Sequence, residues 1–247
     1  SKLPYLELEG QTYLGKDMEI AWMGIGDSES DKYPLQSRAF TKGTDLKNKL
    51  EELVIEGNGG GQVMESYQLG AFYVLHKTKM PNAIHPIFIM IGDEKTHPTI
   101  GVKEANIAGV SINSNISAKE VFDELKKKMA VYLIQKPYNV GVENDYTNKE
   151  IYDSWVNLLG EDHIAYLSEP ERVVDVIFGI LAKETGKIDE FKKEIEDRQT
   201  DDQVKTVYKA LKTVHLLPAP VHINAKTVGK STMLSPTKAK KSRGLLS

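Results

Sequence analysis

Three places in this chain set glycine beside residues able to do chemistry. One is Ile91-Gly92-Asp93-Glu94, where an apolar run stops on an acid. A second is Gly57-Asn58-Gly59-Gly60-Gly61-Gln62, leading through Val63 and Met64 to Glu65-Ser66-Tyr67. A third is Gly229-Lys230-Ser231. An Asp after a strand can simply end it and cap the next turn. A glycine run ahead of a helix can cradle a phosphate, because free N–H groups and the helix dipole attract anions. No lysine follows Gly59–Gly61, however, and a turn that lets the next helix pack closely is the simpler reading. Gly229-Lys230-Ser231 has the ending of a phosphate-binding loop, but Asn224 stands where its first glycine belongs and no strand and helix flank it.

Other reactive groups are dispersed. His76, His85, His97, His163, His215 and His222 show no i, i+4 pairing of the kind that builds a zinc site. The acid pairs Glu161/Asp162 and Asp201/Asp202 lie beside expected helix ends, where carboxylates satisfy N–H groups or face solvent. Ser66 lacks the Gly-x-Ser-x-Gly elbow of hydrolases. There is no cysteine, hence no disulfide, thiolate nucleophile or Cys-ligated zinc. No catalytic constellation emerges, and the expectation is a protein that is not an enzyme.

The elements that must carry these residues are legible from pattern. Residues 19–25, 85–91, 129–134 and 163–167 are short apolar runs ending in turn formers and read as strands. Leu46, Leu50, Leu53 and Val54 recur at helical spacing behind Thr44, predicting a helix over 45–55. Ser117/Glu120, Thr147/Glu150 and Ser168/Glu171 are capping boxes that predict three more helix starts. The helix from Pro170 buries Val173, Val174, Ile177, Ile180 and Leu181 and stops at Gly186, while Phe191 with Ile195, and Val204 with Tyr208 and Leu211, mark two further helices. Trp22 falls on an expected strand and Trp155 on an apolar helix stripe, and both read as core. Strands alternating with helices imply right-handed crossovers, so the expected fold is α/β: a Rossmann-like, doubly wound, mostly parallel sheet with helices on both faces.

Bulk composition sets the frame. The 247 residues suit one large α/β domain with an appendage, here residues 1–217 and 218–247. From Pro218 onward Lys226, Lys230, Lys238, Lys240, Lys241 and Arg243 occur with no acid, which predicts an extended or disordered basic tail. A net charge of −3 argues against nucleic-acid binding by the whole domain, so any such contact would run through the tail. No apolar run is long enough for a membrane span, and no signal peptide is visible; a cytoplasmic, membrane-free protein is expected.

Four segments, covering about residues 15–185, resemble a von Willebrand factor A-type (vWA) domain. They are the strand 19–25 leading through Gly26-Asp27 to Pro34-Leu35; the helix 45–55 with the glycine turn and Glu65-Ser66-Tyr67; the strand ending in Ile91-Gly92-Asp93-Glu94; and the helix, strand and helix across 121–181. The wording resembles bacterial and phage-type members more than integrin or matrix ones. The resemblance implies a metal-ion-dependent adhesion site holding Mg²⁺ or Mn²⁺ at the carboxyl edge of the sheet, the usual ligand position of open α/β sheets. An exchangeable coordination position there would accept a partner's Asp or Glu.

Carried over residue by residue, the resemblance puts Asp93 in the place of the third-loop aspartate. The second-loop threonine has no counterpart in Gly-Gly-Gly-Gln, and Glu65 or Ser66 is the substitute. The first motif, Asp-x-Ser-x-Ser, is missing; Asp27-Ser28-Glu29-Ser30 imitates it with the wrong spacing and reads as a decoy. The strand preceding that motif would be central in the sheet, and its loss would expose backbone groups that need partners. The chain beginning just after it is the favoured expectation. A strand borrowed from Val221-His222-Ile223 or from a partner, and a divergent closure, are the others. The resulting expectation is an interaction module binding a protein, in the company of an ATPase or a multi-subunit assembly. Its rival is a structural subunit of a viral or other large particle whose tail contacts neighbours or nucleic acid.

Overall fold

The computed structural model describes residues 3–56, 63–140 and 145–214. The Gly59–Gly61 turn, His215, His222, Val221–Ile223, Gly229-Lys230-Ser231 and the whole basic tail therefore lie outside the described residues. In chain order the elements are α1 (Leu3–Leu14), β1 (Met23–Ile25), β2 (Leu35–Ser37), α2 (Asp45–Glu51), β3 (Met64–Glu65), α3 (Tyr67–Lys77), β4 (Ile87–Gly92), β5 (Lys95–Thr96), β6 (Thr99–Ile100), α4 (Val102–Ile107), β7 (Ile116–Ser117), α5 (Ala118–Lys126), β8 (Ala130–Gln135), α6 (Tyr146–Leu159), β9 (Ile164–Tyr166), α7 (Val173–Thr185), α8 (Ile188–Arg198) and α9 (Asp201–Ala210).

The fold is mixed α/β. Its centre is a parallel sheet in the order β4-β8-β9, with Phe88 opposite Val131 and Leu133 opposite Ile164. Ala-Val-Tyr-Leu-Ile-Gln in β8 is apolar on both faces because both are covered. Val131 and Leu133 join Phe72 of α3, Phe122 of α5 and Trp155 of α6 in one core; Tyr132 and Ile134 join Leu6 of α1, Phe178 of α7, Phe191 of α8 and Val207 of α9 in the other. Helices thus lie on both faces of the central sheet. Burying the larger of these side chains contributes on the order of 2 kcal/mol each before chain entropy is counted.

The remaining strands do not extend that sheet. β3 pairs with β5 in parallel, while β1–β2 and β6–β7 are antiparallel ribbons, and none of the described sheets closes into a barrel. The strand expected over 19–25 shrinks to Met23–Ile25, with only a bridge from Ile20 to Thr41 before it. The helix expected over 45–55 ends at Glu51, because the Gln36 amide accepts from the Val54 N–H and donates to its carbonyl, taking that backbone out of the helix.

Of the expected capping boxes, Ser117/Glu120 is present. Thr147 is displaced as cap by Asp145, whose carboxylate accepts the Asn148 N–H at 2.8 Å. After Ser168 the chain makes a 3₁₀ turn over Pro170–Arg172 before α7, Pro fitting the first position of such a turn. Gly186 ends α7 in the left-handed conformation, φ 71°, as its place in the sequence predicts.

β4 borders the central sheet. The carbonyls of Pro86 and Gly92 accept from Ala130 and Lys136, so the even-numbered residues of this stretch face β8. The backbone groups of Ile87, Ile89 and Ile91 point the other way, where no strand among the described residues pairs with them. Ile91 is 52% exposed. Among the described residues no helix is long and apolar enough to cross a membrane.

Candidate functional site

The carboxyl ends of β4 and β8 and the β3–β5 pair meet at one corner of the molecule. β3 and β5 place Glu65 beside Thr96, and the His97 N–H donates to the Glu65 carbonyl at 3.3 Å. Asp93 and Glu94 occupy the turn between β4 and β5. That turn is held from below: Trp155 Nε1 donates to the Glu94 carbonyl at 2.8 Å, the Trp155 ring stands edge-on to Tyr67 at 5.4 Å, and the Asp93 amide donates to the Tyr67 hydroxyl. Gly92 is required here, since a Cβ would overlap the Tyr67 hydroxyl.

The loop after β1 folds Asp27 and Ser28 inward. Asp27 is 2% exposed and His97 8%, with His97 Nε2 2.9 Å from Asp27 Oδ1. The Glu29 N–H and the Ser30 hydroxyl also donate to Asp27, each at 3.1 Å, and the Asp27 N–H donates to Asp31 at 2.8 Å. Burial by itself would raise the Asp27 carboxyl. The Glu29 amide, His97 and Ser30 outweigh it and hold the carboxyl below its usual range. Ser66 ties this loop to the start of α3: its hydroxyl accepts the Ser28 N–H at 2.8 Å, and its own N–H reaches the Gly26 carbonyl at 3.4 Å. Lys103 and Glu104 of α4 brace Ser28 from the far side.

Glu65 is less well provided for. Its Oε2 is buried with no hydrogen-bond partner. Burial, followed by the charges of Glu94, Asp31, Asp27 and Asp93, pushes its carboxyl up to about 7. Glu94 is raised as well, by burial first and then by Asp93 and Asp27, with Lys136 and His97 opposing. Gln135 ends β8 opposite Gly92 and is 0% exposed, yet neither end of its amide has a partner. By the alternation of β8, Gln135 shares the face of Val131 and Leu133, the side on which α3 begins with Tyr67. One residue on, the Lys136 ammonium pairs with Asp93.

The structure therefore brings Asp93, Glu65 and Ser66 to one corner, but in different states. Asp93 is paired, Glu65 is unsatisfied, and Ser66 is fully buried and engaged by the Ser28 amide. Of Asp27 to Ser30, set aside from sequence as a decoy, Asp27 and Ser28 are buried in the inner wall of the corner, while Glu29 and Ser30 are exposed. His97, one of six scattered histidines, is the partner of Asp27. Nothing local in the sequence marks it, because the two residues lie 70 positions apart. Lys136 and Gln135 were likewise missed; a Gln-Lys end to an otherwise apolar strand is the one signal that points to them. Among the described residues, no group of three or more His, Asp or Glu side chains stands ready to hold a metal. Comparison with protein-family models, curated proteins and solved structures gave no match.

Proposed function

We propose that this chain is an interaction module of vWA-like, doubly wound architecture that grips a protein partner at the corner that holds Glu65 and Asp93, with Mg²⁺ or Mn²⁺ bound there. This is the reading of a binding module and not of an enzyme. The observation that carries it is Glu65: a carboxyl with a buried, unpartnered oxygen among four other acids. Such a group costs roughly 1–3 kcal/mol when left unsatisfied, and a cation relieves both the missing partner and the repulsion.

The residues suit an open, hydrated ion rather than a closed cage. Hard cations such as Mg²⁺ bind through one or two carboxylates and keep several waters. Glu65 and Asp93 would supply those carboxylates, and the ion would give a partner's acid a point of attachment. Ser66 keeps its place as a brace for the loop after β1. Ile91, Tyr138, Val140 and Tyr146 are exposed apolar or aromatic residues that the topology brings to the same end of the sheet, and such groups anchor protein partners. Titration calorimetry and thermal unfolding with Mg²⁺ or Mn²⁺ test the reading. Heat uptake or release together with a raised melting temperature is expected, and neither effect at millimolar cation contradicts it.

A second reading, a structural subunit whose sheet is completed between chains, is favoured by the outer edge of β4, with which no strand among the described residues pairs. An unpaired apolar strand edge is a template for another strand. Light scattering separates the two, because a stable monomer at high concentration contradicts the structural-subunit reading.

A further inference from the structure

Gln135 closes β8, in register with Gly92 of β4 on one side and Tyr166 of β9 on the other. Register neighbours in a parallel sheet present their side chains to the same face. A Cβ at Gly92 would run into the Tyr67 hydroxyl, so that hydroxyl stands on this face beside Gln135, with Tyr166 as the neighbour across β9. Neither ring partners the amide. The Tyr67 hydroxyl accepts the Asp93 N–H instead, and both Oε1 and Nε2 of Gln135 are buried with no hydrogen bond. Burial first, then the charges of Asp93 and Glu65, hold the Tyr67 phenol above its usual value, which puts the Glu65 carboxyl, with its own buried and unpartnered Oε2, in the same neighbourhood.

Gln135 is 0% exposed. Buried amides are nearly always bonded, and this unmade donor–acceptor pair lies at the carboxyl end of a central parallel strand, where open α/β sheets hold their ligands. The pair also selects what it binds. One N–H and one C=O side by side are answered by another primary carboxamide with two parallel hydrogen bonds. A trans peptide group has its N–H and C=O on opposite edges and cannot make both. Asp93 and Glu94 follow Gly92 directly, and with Glu65 they disfavour a carboxylate or phosphate in that place.

We propose that the Gln135 amide is the recognition point for a neutral carboxamide, that of an asparagine or glutamine side chain on the protein partner, with Glu65 accepting its second N–H. This shares with the reading above only the premise of a protein partner and needs no cation. Glu65 and Tyr166 are part-buried, so Gln135 lies one side chain below the surface and is reached as one of them turns aside.

The test is the side-chain amide spectrum of the isotope-labelled chain in chelator, titrated with the capped tripeptide Ala-Asn-Ala, its Ala-Asp-Ala counterpart, and acetamide. The Gln135 Nε2 signals are expected to shift saturably with Ala-Asn-Ala and with acetamide. Ala-Asp-Ala should bind roughly tenfold more weakly or worse, because its charge would be buried without a counter-ion. Gln135→Met should lose the binding of Ala-Asn-Ala while melting at or above wild type, since the amide has no bond to lose. No shift with either carboxamide, a shift with acetamide alone, equal binding of Ala-Asp-Ala, or retained binding by Gln135→Met each overturns the proposal. So does a Gln135→Met variant that melts well below wild type, which would show the amide bonded within the fold. Because chelator removes any divalent ion, failure here leaves the cation reading standing, and failure of the cation titrations leaves this one.

Discussion

His97 Nε2 sits 2.9 Å from Asp27 Oδ1, joining the turn after β5 to the loop after β1 across 70 residues of sequence, with both side chains buried. The contact closes the inner wall of the acidic corner, and the His97 backbone binds the Glu65 carbonyl at the same time.

Removing the imidazole leaves Asp27 buried with one partner fewer. His97→Ala should cost roughly 2–3 kcal/mol in urea unfolding at pH 7. The Asp27 carboxyl is held low in the folded state, so its contribution is present above the unfolded value of 3.8 and is lost as pH falls through the lower folded value. The wild-type advantage over Asp27→Asn should therefore persist at pH 5 and shrink below pH 4. A difference independent of pH would count against the network.

Glu65 has the opposite sign. Its folded carboxyl is raised to about 7 from 4.5, so the folded state prefers the neutral acid. That stability is fully present below pH 4.5 and drains away as pH rises through 7. In chelator, Glu65→Gln should match wild type near pH 4.5 and exceed it by about 1–2 kcal/mol at pH 8, a figure discounted for partial solvent access. Equal stabilities at pH 8 would show that the carboxyl is not strained.

Gly92→Ala forces a methyl group into the Tyr67 hydroxyl, and Tyr67 is wedged against Trp155. Overpacking of this kind typically costs about 1–3 kcal/mol. Urea unfolding should report that loss together with a changed near-ultraviolet signal from the Tyr67–Trp155 pair. An unchanged signal and midpoint would mean that the corner has room to yield.

The central strands and most helices were legible because their signals are local. β4, β8 and β9 lie within two residues of their apolar runs, and Ser117/Glu120 and Gly186 act where their chemistry puts them. The failures are tertiary. Gln36 unwinds the end of α2 from 18 residues away, and Asp145 captures a cap that Thr147 could have taken. At the site, Asp93 and Glu65 could be named from position in the chain, but their states could not. One is neutralised by Lys136 at the end of the neighbouring strand and the other is crowded by acids from two separate loops, so only the assembled sheet edge reveals the difference.

The central claim, that this corner takes a divalent cation, is tested most directly by amide correlation spectra of the isotope-labelled chain with substoichiometric Mn²⁺. The account predicts selective broadening of the Glu65, Ser66, Asp93, Glu94 and Lys136 signals, abolished in a Glu65→Gln, Asp93→Asn double variant. Broadening centred elsewhere, or none at millimolar Mn²⁺, would contradict it.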